Sequence, residues 1–150
     1  MRLVVQRVTG ASVTEGADVL GKIGRGAVVL VGIGADDTQA VIDRMADKLI
    51  VLRYFEDDDG RTNLSIADAA GSLLVVSQFT LYADVRHGRR PGFTDAAAPQ
   101  SAVPLMDRFI ERLRGAGLQV ETGRFGAEMA VELVNDGPFT LVIDSERDLG

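Results

Sequence analysis

The sequence predicts an α/β domain, and three observations carry that reading. Short unbroken apolar runs, Ala27–Val31 and Leu73–Val76, have the length and branched content of strands buried on both faces. Two longer stretches, about 38–53 and 101–114, repeat apolar residues at helical spacing. The chain has 150 residues, 46% hydrophobic and 25% charged, without a repeat, linker or low-complexity tract, which suits one domain over 1–150 with a real core.

Residues 2–9 read as the first strand. Leu3 and Val5 share one face, Val4 and Val8 the other, so the strand is central in its sheet. Arg7 is then partly buried and needs a partner, because an unpaired buried guanidinium is costly; it reads as a structural brace. Val13–Ile23, broken at Glu15-Gly16-Ala17-Asp18, reads as a hairpin. Gly32-Ile33-Gly34 after the next strand imitates a dinucleotide fingerprint, but Asp37 stands in place of the third glycine. Carboxylates at a helix start also repel phosphate, so a bound dinucleotide is rejected. Asp36 with Gln39 fits a capping box for the helix from about Thr38 to Arg53. Its stripe is Val41, Ile42, Met45, Leu49 and Leu52. Asp57-Asp58-Asp59-Gly60 is a turn rather than a calcium loop, since Phe55 occupies the first ligand position. Asn63-Leu64-Ser65 continues as a loop or a short edge segment.

Leu73–Val76 runs directly into Ser77-Gln78-Phe79-Thr80-Leu81. A buried strand delivering polar groups at its tip is one way to place a site on a rigid support; the alternative is a simple strand end. Arg86, His87, Arg89 and Arg90 form a basic loop, either solvated or contacting phosphates. The second helix carries Leu105, Met106, Phe109, Ile110 and Leu113 and is stopped by Gly115 and Gly117. Leu118–Thr122 is a short strand. Phe125–Val134 fits both periods, with Met129–Val134 read as strand. Asn135-Asp136-Gly137-Pro138 signals a turn between that strand and another, Phe139–Ile143. An X-Pro bond there can be cis or trans. Asp144–Gly150 reads as a frayed tail.

Composition removes several function classes. With no cysteine there is no disulfide framework and no thiol chemistry. The single histidine, His87, has no companions at zinc spacing, and neither a nucleophile elbow nor a P-loop occurs; no metal and no cofactor are expected. No apolar run is long enough to span a bilayer, and the first residues lack a signal-peptide pattern, which points to the cytoplasm with no membrane partner. A net charge of −6 argues against gripping long stretches of nucleic acid, DNA included, but allows a protein that holds only an RNA end.

Ser77-Gln78-Phe79-Thr80-Leu81 and Asn135-Asp136-Gly137-Pro138-Phe139-Thr140, in that order, resemble the two signature motifs of the D-aminoacyl-tRNA deacylases. Val5-Gln6-Arg7-Val8 with Ala11-Ser12-Val13, Arg90-Pro91 with Phe93, and Thr122-Gly123-Arg124-Phe125 are similar to that family as well; Gly92 departs from it, standing where the family has serine. The resemblance implies a homodimer of compact, barrel-like α/β subunits with a mixed sheet and two main helices. It implies hydrolysis of the ester joining a D-amino acid, or glycine mischarged on tRNA, to the terminal ribose. Gly137 and Pro138, with a cis bond between them, would enter the partner subunit's pocket and exclude L side chains. Phe79 and Thr80 would offer backbone N–H groups to the developing oxyanion, Gln78 would orient the terminal adenosine, and Ser77 and Thr80 would shape the site. Attack by water would be assisted by the tRNA's own 2′-hydroxyl. Arg7 would brace the Gly-Pro turn, Phe125 and Met129 would wall the pocket, and Arg86, Arg89 and Arg90 would touch phosphates near the acceptor end of the aminoacyl-tRNA. Two rivals stay open: Thr80 as a covalent nucleophile, and a catalytically silent module binding nucleotides or RNA ends.

Overall fold

The computed structural model describes all 150 residues, Met1–Gly150. The strands are β1 (Arg2–Glu15), β2 (Asp18–Ile23), β3 (Gly26–Gly32), β4 (Arg53–Glu56), β5 (Thr62–Ser65), β6 (Ser72–Ser77), β7 (Gln119–Thr122) and β8 (Ala130–Asp144). The helices are α1 (Gln39–Val51), α2 (Pro99–Gly115) and the short α3 (Ser145–Asp148), with a 3-10 turn at Phe79–Tyr82. The main sheet runs β2-β1-β3-β6-β7, and β8 pairs with the other edge of β1. β3-β6 and β6-β7 are parallel and the remaining pairs antiparallel, so the sheet is mixed. Each parallel step needs a crossover, which is where α1 and α2 fall. The sheet curls until β2 meets β7: a Cβ at Gly21 would lie 2.9 Å from the Thr122 carbonyl oxygen. The result is the nearly closed, barrel-like mixed sheet that the motifs implied.

Two apolar clusters fill it. Val8, Val13, Val28, Leu74 and Val76 pack inside the curl. The larger cluster joins the sheet's other face, through Leu3, Val5, Val29 and Leu73, to Ile42, Met45, Ala46 and Leu49 of α1 and Ala102, Met106, Phe109 and Leu113 of α2. These helix residues recur every three to four positions, so one face of each helix is buried at about 1.5–3 kcal/mol per fully buried large side chain. The outward carboxylates of α1 still reach α2: Arg108 forks onto Asp43 and Arg112 onto Asp47, each with two contacts of 2.7–2.8 Å.

Four sequence expectations are corrected. Helix α1 is capped not by Asp36 but by Thr38, whose Oγ accepts from the Val41 N–H. Its neighbour Asp37 accepts from the Met1 ammonium at 2.6 Å and from the Gly34 N–H at 2.6 Å. The helix expected to reach about Arg53 ends at Val51, and Arg53 opens β4, which pairs with β5 through the Asp57 turn. Residues 130–144 are not two strands around a reverse turn; β8 follows β1 along its whole length. The C-terminal residues are not frayed. Ser145 Oγ accepts from the Met1 ammonium at 2.8 Å, and Arg147 and Asp148 bond back to Val142 and Asp144.

Candidate active site

β6 ends where its neighbours do not, and its last residues open onto a cavity of about 580 Å³. Ser77, Gln78 and Phe79 form one side, Phe125 and Met129 another, and Phe93 with the small residues Ala96–Ala98 a third. The lining is mostly apolar, which suits a planar aromatic ligand with a few fixed polar contacts. Phe79 is 57% exposed and meets Phe93 edge-on at 5.1 Å. The Ala96-Ala97-Ala98 run before α2 leaves room that larger side chains would fill; its only sequence signal was that smallness.

The 3-10 turn is tightly seated. Its Leu81 and Ala83 N–H groups donate to Gln78 and Thr80 carbonyls, whereas the Phe79 and Thr80 N–H groups make no turn or cap bond to a carbonyl. These are the leading amides of a short helical turn, free to donate outward. Gln78 Nε2 donates to Thr80 Oγ1, so the one side-chain partner of that hydroxyl is an amide without basicity. Gly32 and Gly34 explain themselves here: added Cβ atoms would meet Leu81 Cβ at 3.0 Å and Tyr82 Oη at 2.7 Å. The glycines let the turn lie against the end of β3. Arg2 holds the turn's far side, donating to the Leu81 carbonyl at 2.9 Å and stacking 4.4 Å over Tyr82. Burial pushes the Tyr82 hydroxyl above its ordinary range.

A second cluster surrounds Arg7, which is 5% exposed. Its guanidinium donates to Tyr54 O at 3.0 Å and Asp136 O at 3.1 Å, lies 3.8 Å from Glu56 and 3.6 Å from Asp136 carboxylates, and stacks on Phe139. These contacts fasten Arg7 to the segment that carries Gly137 and Pro138. Their peptide bond is cis, and Gly137 has φ +133°.

The two clusters do not meet within one chain. Arg7, Gly137 and Pro138 are absent from the cavity lining, although Val131 of the same strand lines it. At roughly 3.3 Å per residue, the turn stands on the order of 15–20 Å from that wall. The basic loop is closed by a backbone bridge between Asp84 and Gly92. Arg86 is already engaged, with Nη2 2.7 Å from Asp84, and that pairing holds the Asp84 carboxyl down to about 2. Arg89 and Arg90 are exposed.

The family model for D-Tyr-tRNA(Tyr) deacylase matches residues 4–144. The D-aminoacyl-tRNA deacylase of Symbiobacterium thermophilum is 58% identical over 147 residues, covering 98% of this chain and 97% of its own. That of Thermotoga petrophila is 54% identical over 147 residues, covering 98% and 99%. A solved chain titled c-Myc DNA Unwinding Element Binding Protein is 42% identical with a TM-score of 0.90, covering 96% of this chain and 98% of its own. A probable eukaryotic D-amino acid tRNA deacylase shares the fold at 20% identity, TM-score 0.83, covering 95% and 97%. Matches this uniform, spanning pocket and turn alike, set the class: a hydrolase acting on ester bonds. By the extent of those matches, the chain belongs to the D-Tyr-tRNA(Tyr) deacylase family.

Proposed function

We propose that the chain works in the cytoplasm as a homodimeric D-aminoacyl-tRNA deacylase. It hydrolyses the ester between a D-amino acid, or mischarged glycine, and the terminal ribose of tRNA. The observation that carries the dimeric form is the separation just described: a built turn, braced by a buried arginine, stands too far from its own pocket to act there. A second copy supplies the pocket that the turn lacks.

In this reading the terminal adenosine occupies the apolar cavity, with Gln78 orienting it and Phe125 and Met129 as walls. The ester carbonyl faces the Phe79 and Thr80 N–H groups, which stabilise the oxyanion of the tetrahedral intermediate; one such donor is worth about 2.7–4 kcal/mol. Water attacks with assistance from the tRNA 2′-hydroxyl. Ser77 and Thr80 shape the site. Thr80 as a covalent nucleophile needs an activating base, and the bond from Gln78 does not provide one. The Gly137 and Pro138 carbonyls of the partner subunit face the aminoacyl group. A D side chain or a hydrogen clears them and an L side chain collides, so selection works by exclusion. Only the acceptor end is held, so a chain of charge −6 suffices, with Arg89 and Arg90 near phosphates and Arg86 held by Asp84.

The test is to incubate the protein with D-Tyr-tRNA and L-Tyr-tRNA. Release of tyrosine from the D ester alone is expected. Release from both ends the exclusion argument, and release from neither leaves a binding module.

A further inference from the structure

The geometry points to Asn135 as a positioning residue that sets the height of the Gly137-Pro138 turn; this rests on the function proposed above. Gln6 pairs with Thr140 and Val8 with Asn135, so a single residue of β1, Arg7, faces the four residues Asp136–Phe139 of β8. Three surplus residues must leave the plane of the sheet, and the ladder hydrogen bonds across that gap are lost. Backbone carbonyls on either side would be left without donors.

Asn135 closes the gap. Its Nδ2 donates to the Arg7 carbonyl at 2.8 Å and to the Phe139 carbonyl at 2.9 Å. One amide nitrogen thus ties β1 to both feet of the outgrowth, since Asn135 begins it and Phe139 ends it. Both of its protons are used, and no other neutral side chain of this size offers two donors on one atom. Arg7 works from the other side, through its guanidinium on Asp136 O. The division of labour follows: Arg7 holds the turn laterally, and Asn135 pinches its base so that it stands up from the sheet. Slack at the base lowers or tilts the Gly137 and Pro138 carbonyls, and the collision that rejects L substrates is the contact most sensitive to such a shift.

The experiment compares wild type, Asn135→Ala and Asn135→Ser on D-Tyr-tRNA and L-Tyr-tRNA, with folding followed by circular dichroism and melting. In Asn135→Ala, kcat/KM for the L ester is expected to rise while that for the D ester falls. The ratio between them is expected to shrink by about tenfold or more, the equivalent of about 1.4 kcal/mol in differential transition-state binding. Asn135→Ser, which retains one donor, is expected to fall between. General structural damage lowers both activities together and produces no gain with the L ester. An unchanged ratio, or parallel loss of both activities, overturns the assignment; so does failure of both variants to fold, which would make Asn135 a residue of the framework. Wild type that does not prefer the D ester would sink the proposed function itself, a separate result.

Discussion

Replacing Arg7 with methionine isolates the brace from its packing. Methionine keeps an unbranched stem in the apolar strand, so little cavity opens, but the guanidinium is gone. Two main-chain carbonyls, Tyr54 O and Asp136 O, lose charge-assisted donors at 3.0 and 3.1 Å. Bonds to charged groups contribute about 1.5–3 kcal/mol each. The two carboxylates matter less: Glu56 and Asp136 side chains are 57% and 46% exposed and rehydrate once Arg7 is removed. Loss of the guanidinium also relieves its own desolvation cost. A net loss of about 3 kcal/mol is expected, the low end of the carbonyl sum. For a chain of this size, roughly 2–4 °C per kcal/mol converts that to a melting temperature about 6–12 °C lower. Calorimetry gives the shift, and parallel hydrolysis of D- and L-Tyr-tRNA gives the selectivity. The reasoning requires both a lower melting temperature and a reduced D preference. A variant melting within about 2 °C of wild type, with its preference intact, would refute it.

Thr80→Ala is expected to retain substantial activity on D-Tyr-tRNA, because its role is assigned to the backbone N–H that alanine keeps; a single-turnover assay that finds no hydrolysis restores the nucleophile. Arg89→Ala/Arg90→Ala is expected to flatten the slope of log Kd against log salt by about 1.4, two contacts at about 0.7 each for single-stranded RNA, and an identical slope removes these arginines from the interface. Arg86 lowers the Asp84 carboxyl from its ordinary 3.8 to about 2, so the loop's stabilisation is complete above 3.8 and is lost as pH falls through about 2. Carboxyl NMR titration is expected to place the Asp84 midpoint near 2, moving up in Arg86→Ala. Gly34→Ala would set a methyl 2.7 Å from Tyr82 Oη, tilting the turn that carries the Phe79 and Thr80 amides. A loss in kcat/KM on the order of 10–100-fold is expected, with KM measured separately to locate it.

What the sequence disclosed was local. Ala27–Val31 and Leu73–Val76 had to be buried strands, and the helical stripes at Ile42–Leu49 and Met106–Leu113 face the core as their spacing demanded. Arg7 betrayed itself as a guanidinium in the middle of an apolar strand; its carbonyl partners, 47 and 129 positions away, could not be read. Asn-Asp-Gly-Pro carries the same turn chemistry whether the chain reverses or merely bulges. The difference lies in β1, long enough to keep pairing on both sides of the interruption. The capping error has the same origin. Thr38, two positions beyond Asp36, takes the cap, while the Met1 ammonium binds Asp37 and Ser145 and so pins the C-terminal residues, contacts between chain ends that no local pattern reveals. Tyr54 and Phe55 escaped notice because adjacent buried aromatics show no alternation; both enter the same core, ring centroids 4.7 Å apart, from an irregularly paired strand four residues long.

β8 contributes a wall residue, Val131, near one end and the Gly137-Pro138 outgrowth farther along. In a twofold pair, each copy of this strand would serve two different reaction centres at once, receiving cargo at one and policing it at the other. Damage would then be shared out unequally. A copy defective only in its outgrowth, mixed with a copy defective only in its cavity, would assemble into hybrids with one wholly intact centre and one doubly broken. A preparation that has lost selection and one that has lost hydrolysis would thus regain selective hydrolysis on mixing.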